Sequence, residues 1–305
     1  MGRNKLVINL FGMLFCFLLT SCSSIPYFFK DGNHLLWKVS DENSSVWLFG
    51  SIHFADSSFY PLPSEIENAF RNSTALAVEM DISDSETQEK TAEEFLKEGM
   101  FTDGRTLKDV LPDSLWKTLD SISTTLGMKT ENFLPMRPWM AATLIASAAI
   151  ASTGIQQELG IDMVMLDSAY VQGKEIIALE TPEEQVESLS KSEGSEETDG
   201  IAYLESTFRE YSKLNQMIKE VISAWKRADV VSLQKSLSAD QNMNESEKRL
   251  NERMFNQRNK KMKKEILNFL ENDKQVFVVV GVGHLILENN LLEMLSENGL
   301  KIQRY

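Results

Sequence analysis

The sequence predicts an α/β protein: a central mixed β-sheet flanked by helices and carrying a helical cap or insertion. Three observations predict it. Residues 46–81 read as strand, helix, strand, with an apolar aromatic run (VWLF), a helix start at Pro63-Ser64, and a second apolar run ending at Glu79. A crossover of that kind is right-handed and makes its two strands parallel. Both then end on one edge of the sheet, where open α/β sheets bind ligands. Residues 275–284 (QVFVVVGVGH) repeat the device of an apolar strand, a glycine turn and a histidine. Residues 201–270 hold no proline or glycine and are helical in pattern throughout, as a cap would be.

In chain order, Arg3 and Lys5 form a basic start and residues 6–19 an apolar core of signal-peptide length, too short for a membrane span. Leu19-Thr20-Ser21-Cys22 then matches the bacterial lipobox. Residues 1–21 read as a lipoprotein signal peptide, Cys22 as the lipidated first mature residue, 22–34 as a tether, and 35–305 as the α/β domain. The protein is expected in the bacterial cell envelope, held to a membrane by lipid on its extracytoplasmic side. Cys16 leaves with the signal, so no mature thiol remains for a disulfide, a cysteine metal site or a cysteine nucleophile. Losing Arg3 and Lys5 with no acid takes the formal charge from −14 to −16. Nucleic acid is a poor partner for such a chain, and the lysines of residues 260–264 read as a solvated helix face.

Residues 35–40 alternate as a half-exposed strand and residues 41–45 turn the chain back into residue 46, a hairpin. After the crossover come an acidic helix over 85–99 and another after Pro112. Arg137-Pro138-Trp139 opens an Ala-rich helix through Ile150, apolar nearly all round and therefore expected against the sheet. Gly160-Ile161-Asp162 starts an amphipathic helix closed by Gly173. A strand over 175–179 leads to Glu180, and Thr181-Pro182 launches the next helix. A polar loop (191–200) precedes the cap. After His284 come a helix over 291–297 and an edge strand, 301–305.

The mature chain has three histidines, and two of them, His53 and His284, follow a glycine by three residues at a predicted strand end. Glycine there permits a sharp turn or close approach of a ligand. Glu79 ends the strand between them in sequence. Two imidazoles and a carboxylate suit a divalent metal with an open position for water, and equally suit metal-free activation of water. Glu180, at a fourth strand end, is a further candidate. Asp162 is a secondary candidate as well, its plainer reading a helix N-cap. Arg258 and Arg137 are candidates to stabilise an oxyanion, with ion pairing the plainer alternative. His34, beside the tether, reads as structural. No His-Glu-x-x-His helix, Gly-x-Ser-x-Gly elbow, phosphate loop or dinucleotide fingerprint competes.

Six ordered segments, LFGSIH (48–53), AVEMD (77–81), GID (160–162), ALETPEEQ (178–185), QRN (257–259) and VVVGVGHL (278–285), together resemble the TraB/PrgY/GumN family, which includes the Tiki metalloproteases. The resemblance implies a fold akin to the ChaN-like and erythromycin-esterase proteins, with His53, Glu79 and His284 acting together. From the Tiki branch it implies Mn- or Co-dependent cleavage of a peptide or protein substrate, with zinc the alternative ion. The loop Leu287-Glu288-Asn289-Asn290 departs from the Gly-x-x-Gly-type loop of many bacterial members. A metal-independent esterase-like hydrolase and a carrier of haem or a peptide signal stand as the other readings.

Overall fold

The structure, a computed structural model, describes residues 32–191, 197–237, 243–272 and 274–305; the signal segment, Cys22 and most of the tether lie outside them. Among the described residues six strands form one sheet: β1 (Leu36–Ser40), β2 (Ser45–Ser51), β3 (Ala75–Val78), β4 (Glu175–Ala178), β5 (Val276–Gly281) and β6 (Lys301–Arg304), in the order β4-β3-β5-β2-β1-β6. β1 and β2 form the expected antiparallel hairpin, and β6 pairs antiparallel with β1 at the edge. β2, β3, β4 and β5 run parallel. The α/β class and the mixed sheet are as the sequence predicts.

The order within the sheet carries one feature the sequence does not specify. β2 and β3, joined by the helix Ser64–Asn72, are parallel but not neighbours: β5 lies between them and bonds to both. Its residues Val276 to Val280 are wholly buried. An unbroken run of valines and phenylalanine suits a strand covered on both faces, as polar alternation would not. Four strand ends therefore open on one edge: β4 into Glu180, β3 into Glu79, β5 into His284 and β2 into His53.

Among the described residues two large apolar cores divide most of the helices, with a small third cluster of Ala149, Ile150, Leu214 and Ile218. The sheet core takes Ile66 and Phe70 from the crossover helix, Met165 and Leu166 from the helix Ile161–Val171, and Trp225, Leu233 and Ile266 from the C-terminal half. A second core is built from helices alone, among them Phe95, Trp139, Ile145, Tyr203 and Leu250. The Ala-rich helix, Pro138–Ala151, belongs to this second core and not to the sheet; its small residues let the helix Thr198–Tyr211 lie close along it. Residues 201–270 are also not one continuous helix. The chain turns at residues 212–213 and at Ala228, whose φ of 51° breaks the helical path. The helices Leu214–Lys226, Val230–Leu237 and Arg258–Glu271 contribute to the sheet core, whereas Thr198–Tyr211 and Glu245–Asn251 contribute to the helical one. Among the described residues no helix is long and apolar enough to cross a membrane.

Candidate active site

The strand ends meet at Gly281. Its backbone N–H donates to Glu79 Oε1 at 2.6 Å. A Cβ at this position would stand 3.2 Å from that oxygen and 3.8 Å from both His53 Nε2 and His284 Cδ2. Any side chain here would occupy the space on which the three candidate groups converge, so the strand must end on glycine. His53 and Glu79 approach each other across β5 and not as neighbours on adjacent strands.

Each group is held by a partner behind it. The helix Ile161–Val171 starts against the end of β2, its Ile161 N–H donating to Ile52 C=O at 3.1 Å. That docking sets Asp162 beneath His53, with Oδ2 2.9 Å from Nδ1 and Oδ1 accepting from Ser51 Oγ at 2.8 Å. Asp162 is thus not the N-cap the sequence led us to expect; Gly160 caps, and the carboxylate is turned inward to orient an imidazole. His284 lies on the one-turn helix Val282–Ile286, its Nδ1 2.6 Å from Asn259 Oδ1. Asn259 Nδ2 donates to the carbonyl of Asn289 at 3.0 Å, which fixes the amide with its oxygen toward the ring. His284 accordingly carries its proton on Nδ1 and presents Nε2, 3.8 Å from Glu79 Oε1.

Arg258 ties the carboxylates together. Its Nε and Nη2 donate to Glu180 at 2.7 and 2.6 Å, Nη2 also to Glu79 Oε2 at 2.6 Å, and Nη1 to Met254 C=O at 3.2 Å. Expected as an oxyanion donor, Arg258 has its guanidinium engaged by these acceptors in the structure. Glu180 also accepts from Gln185 Nε2 at 3.3 Å. Arg137 is elsewhere: it pairs with Glu197 at 2.5 Å and lies over the Phe101 ring, outside the cleft. His34 is half-buried near Glu65 and the C-terminal strand and does not line the cleft that holds the other two histidines.

The electrostatics follow. Burial alone would discharge Glu79, but Arg258, the two imidazoles and the Gly281 N–H hold its carboxyl far below the usual range. Burial likewise opposes a charge on His53; Asp162, with Glu79 behind it, overrides this and raises the ring to about 9. Burial and the Arg258 charge push His284 down to about 3, keeping it neutral. Three carboxylates, Glu79, Asp162 and Glu180, face one guanidinium, so with neutral imidazoles the cluster carries excess negative charge. The field that raises His53 would favour a divalent cation for the same reason. Both imidazoles have Nδ1 engaged and Nε2 presented, as metal-ligating histidines do. The donor set therefore fits such an ion in kind and charge. Among the described residues, however, no three such groups stand together as a preformed cage.

Over these groups lies a cleft lined also by Ile52, Leu237, Met254, Phe255, Val282 and Leu287. Phe255, on the π-helical turn Glu252–Gln257 that precedes Arg258, sets its ring centroid 5.2 Å from that of His284. Sequence reasoning missed Asn259 and Phe255. The one signal for Asn259 was its place directly after Arg258 in QRN, and nothing in the sequence marked the π-turn.

The sequence model of the TraB/PrgY/gumN family matches residues 35–304. The uncharacterized protein YbaP of Escherichia coli (strain K12) is 26% identical over 268 residues, covering 87% of this chain and 94% of that protein. Metalloprotease TIKI2 of Xenopus tropicalis is 21% identical over 335 residues, covering 93% of this chain and 62% of that protein. No solved structure matches.

Proposed function

The chain belongs to the TraB/PrgY/gumN family, and we propose that it is a metal-dependent hydrolase of peptide bonds centred on His53, Glu79 and His284. One observation carries the reading: three groups from three separate strand ends converge around Gly281, each braced by a buried partner. The likeness to a protein named a metalloprotease supports the reaction class. His53 Nε2, His284 Nε2 and Glu79 Oε1 would hold the ion, which when bound polarises the scissile carbonyl and water. Manganese or cobalt is the expected metal, with zinc the alternative. Asp162 and Asn259 fix the two ring tautomers, and Arg258 keeps Glu79 anionic and aimed at Gly281. The substrate is a peptide or protein outside the cytoplasm. The basic start, apolar core and Cys22 lipobox support a lipid-anchored envelope protein.

The experiment is metal content and peptide hydrolysis by residues 23–305, purified without chelator or histidine tag, beside H53A and H284A. Near-stoichiometric metal lost in both variants, with hydrolysis abolished by chelation and restored by Mn²⁺ or Co²⁺, is the expected result. Hydrolysis that survives exhaustive chelation would select a second reading. The cleft already holds a neutral acceptor, His284, and a proton donor, His53, on either side of Gly281, which is the equipment of a metal-free acid–base pair.

A further inference from the structure

The polar and apolar parts of the cleft are sharply divided. Ser51 is bonded to Asp162, and Arg258 to Glu79, Glu180 and Met254 C=O. Among the described residues lining the cleft, the charged side chains, His53, Glu79 and Arg258, are gathered at one end and each is already bonded to an oppositely charged group. The rest of the wall is Ile52, Leu237, Met254, Phe255, Val282 and Leu287. Phe255 is its organising member. The π-turn adds a residue to the helical path and directs this ring over His284. The ring also presses on the backbone of the His284 turn: a Cβ at Gly283 would lie 3.0 Å from Phe255 Cε1 and 3.3 Å from Leu287 Cδ1. Glycine at 283 is what allows an aromatic ring this close to the reactive imidazole.

We infer that the cleft recognises a peptide by one large uncharged, apolar side chain next to the scissile bond, seated against Phe255. The inference rests on the peptidase reading above and specifies the substrate class of the same site. A side chain in this position desolvates the wall and carries its own backbone past His284. A carboxylate or ammonium seated on these residues would lose its water against side chains that offer it no hydrogen bond, which such a wall rejects.

The test uses blocked pentapeptides Ala-Ala-X-Ala-Ala, with X leucine, phenylalanine, aspartate or lysine. Hydrolysis is read by mass spectrometry and binding by NMR titration, on the metal-loaded protein and on F255A and F255L. Expected is a preference of roughly 10- to 100-fold in kcat/KM for leucine and phenylalanine over the charged residues. F255A should cut that preference about tenfold and F255L restore most of it. Equal cleavage of charged and apolar peptides, or a preference unmoved in F255A while the variant melts like the wild type, overturns the subsite. Binding with the apolar preference but no hydrolysis would sink the peptidase reading and leave the subsite standing. Failure of every peptide both to bind and to be cleaved overturns the subsite itself.

Discussion

Replacing Arg258 with methionine tests whether the guanidinium is the brace of the site. Arg258, Glu79 and Glu180 are each 4–6 % exposed, and three charge-assisted hydrogen bonds of 2.6–2.7 Å join them. The variant keeps the side chain's bulk but strands two carboxylates in a buried site. Breaking a buried ion pair by removing one partner costs about 3–5 kcal/mol. For a domain of this size the melting temperature should fall by roughly 10 °C. The assay is urea and thermal unfolding of the wild type, R258M, E180Q and the double variant. Because E180Q removes one of the stranded charges, the double variant should be less destabilised than the sum of the singles, by about 1–3 kcal/mol. R258K should fall between wild type and R258M, since an ammonium cannot bridge two carboxylates through a planar fork. A cost for R258M below about 1 kcal/mol, or strict additivity in the cycle, would refute the claim that one guanidinium holds both acids.

Other consequences are equally open to measurement. N259L should leave the fold intact while weakening Mn²⁺ binding about 10- to 100-fold by calorimetry, because His284 loses the acceptor that fixes its tautomer. G281A should abolish hydrolysis with a near-native melting temperature, the added methyl standing 3.2 Å from Glu79 Oε1. In chelator-treated protein, D162N removes the anion that raises His53 to about 9. A raised imidazole stabilises the fold fully below its unfolded value near ~6.5. The wild type's advantage over D162N should therefore shrink as pH rises through about 9. Denaturation curves at pH 6 and pH 10 would contradict this if the gap were the same at both.

Much of this site was legible because its chemistry sits at strand ends. Glycine, histidine and glutamate closing apolar runs are local signals, and they pick out His53, Glu79 and His284, which the fold brings together around Gly281. What the sequence could not carry was the non-local half. Nothing in residues 46–81 says that a strand from residues 276–281 will enter between β2 and β3. Asp162 has the local appearance of a cap because it stands at a helix start; only the docking of that start on Ile52 turns it toward His53. Arg258 and Asn259 sit in a lysine-rich stretch whose pattern says solvated helix, and tertiary contacts alone reveal that this turn faces inward. The Ala-rich helix was misplaced for a related reason: a uniformly apolar helix announces burial but not the surface that buries it.

The central position of β5 also governs how the chain can assemble. Its neighbours form two local units, the β1–β2 hairpin and the β3–β4 pair, each closed within the N-terminal 178 residues. No strand pairing links the two until residues 276–281 arrive and bond to both at once. Such long-range closure makes for slow folding. A nascent chain still lacking its last thirty or so residues is thus two unconnected half-sheets with exposed parallel edges. The strand that zips them together delivers His284 in the next turn, so the sheet and the candidate site are completed in a single event.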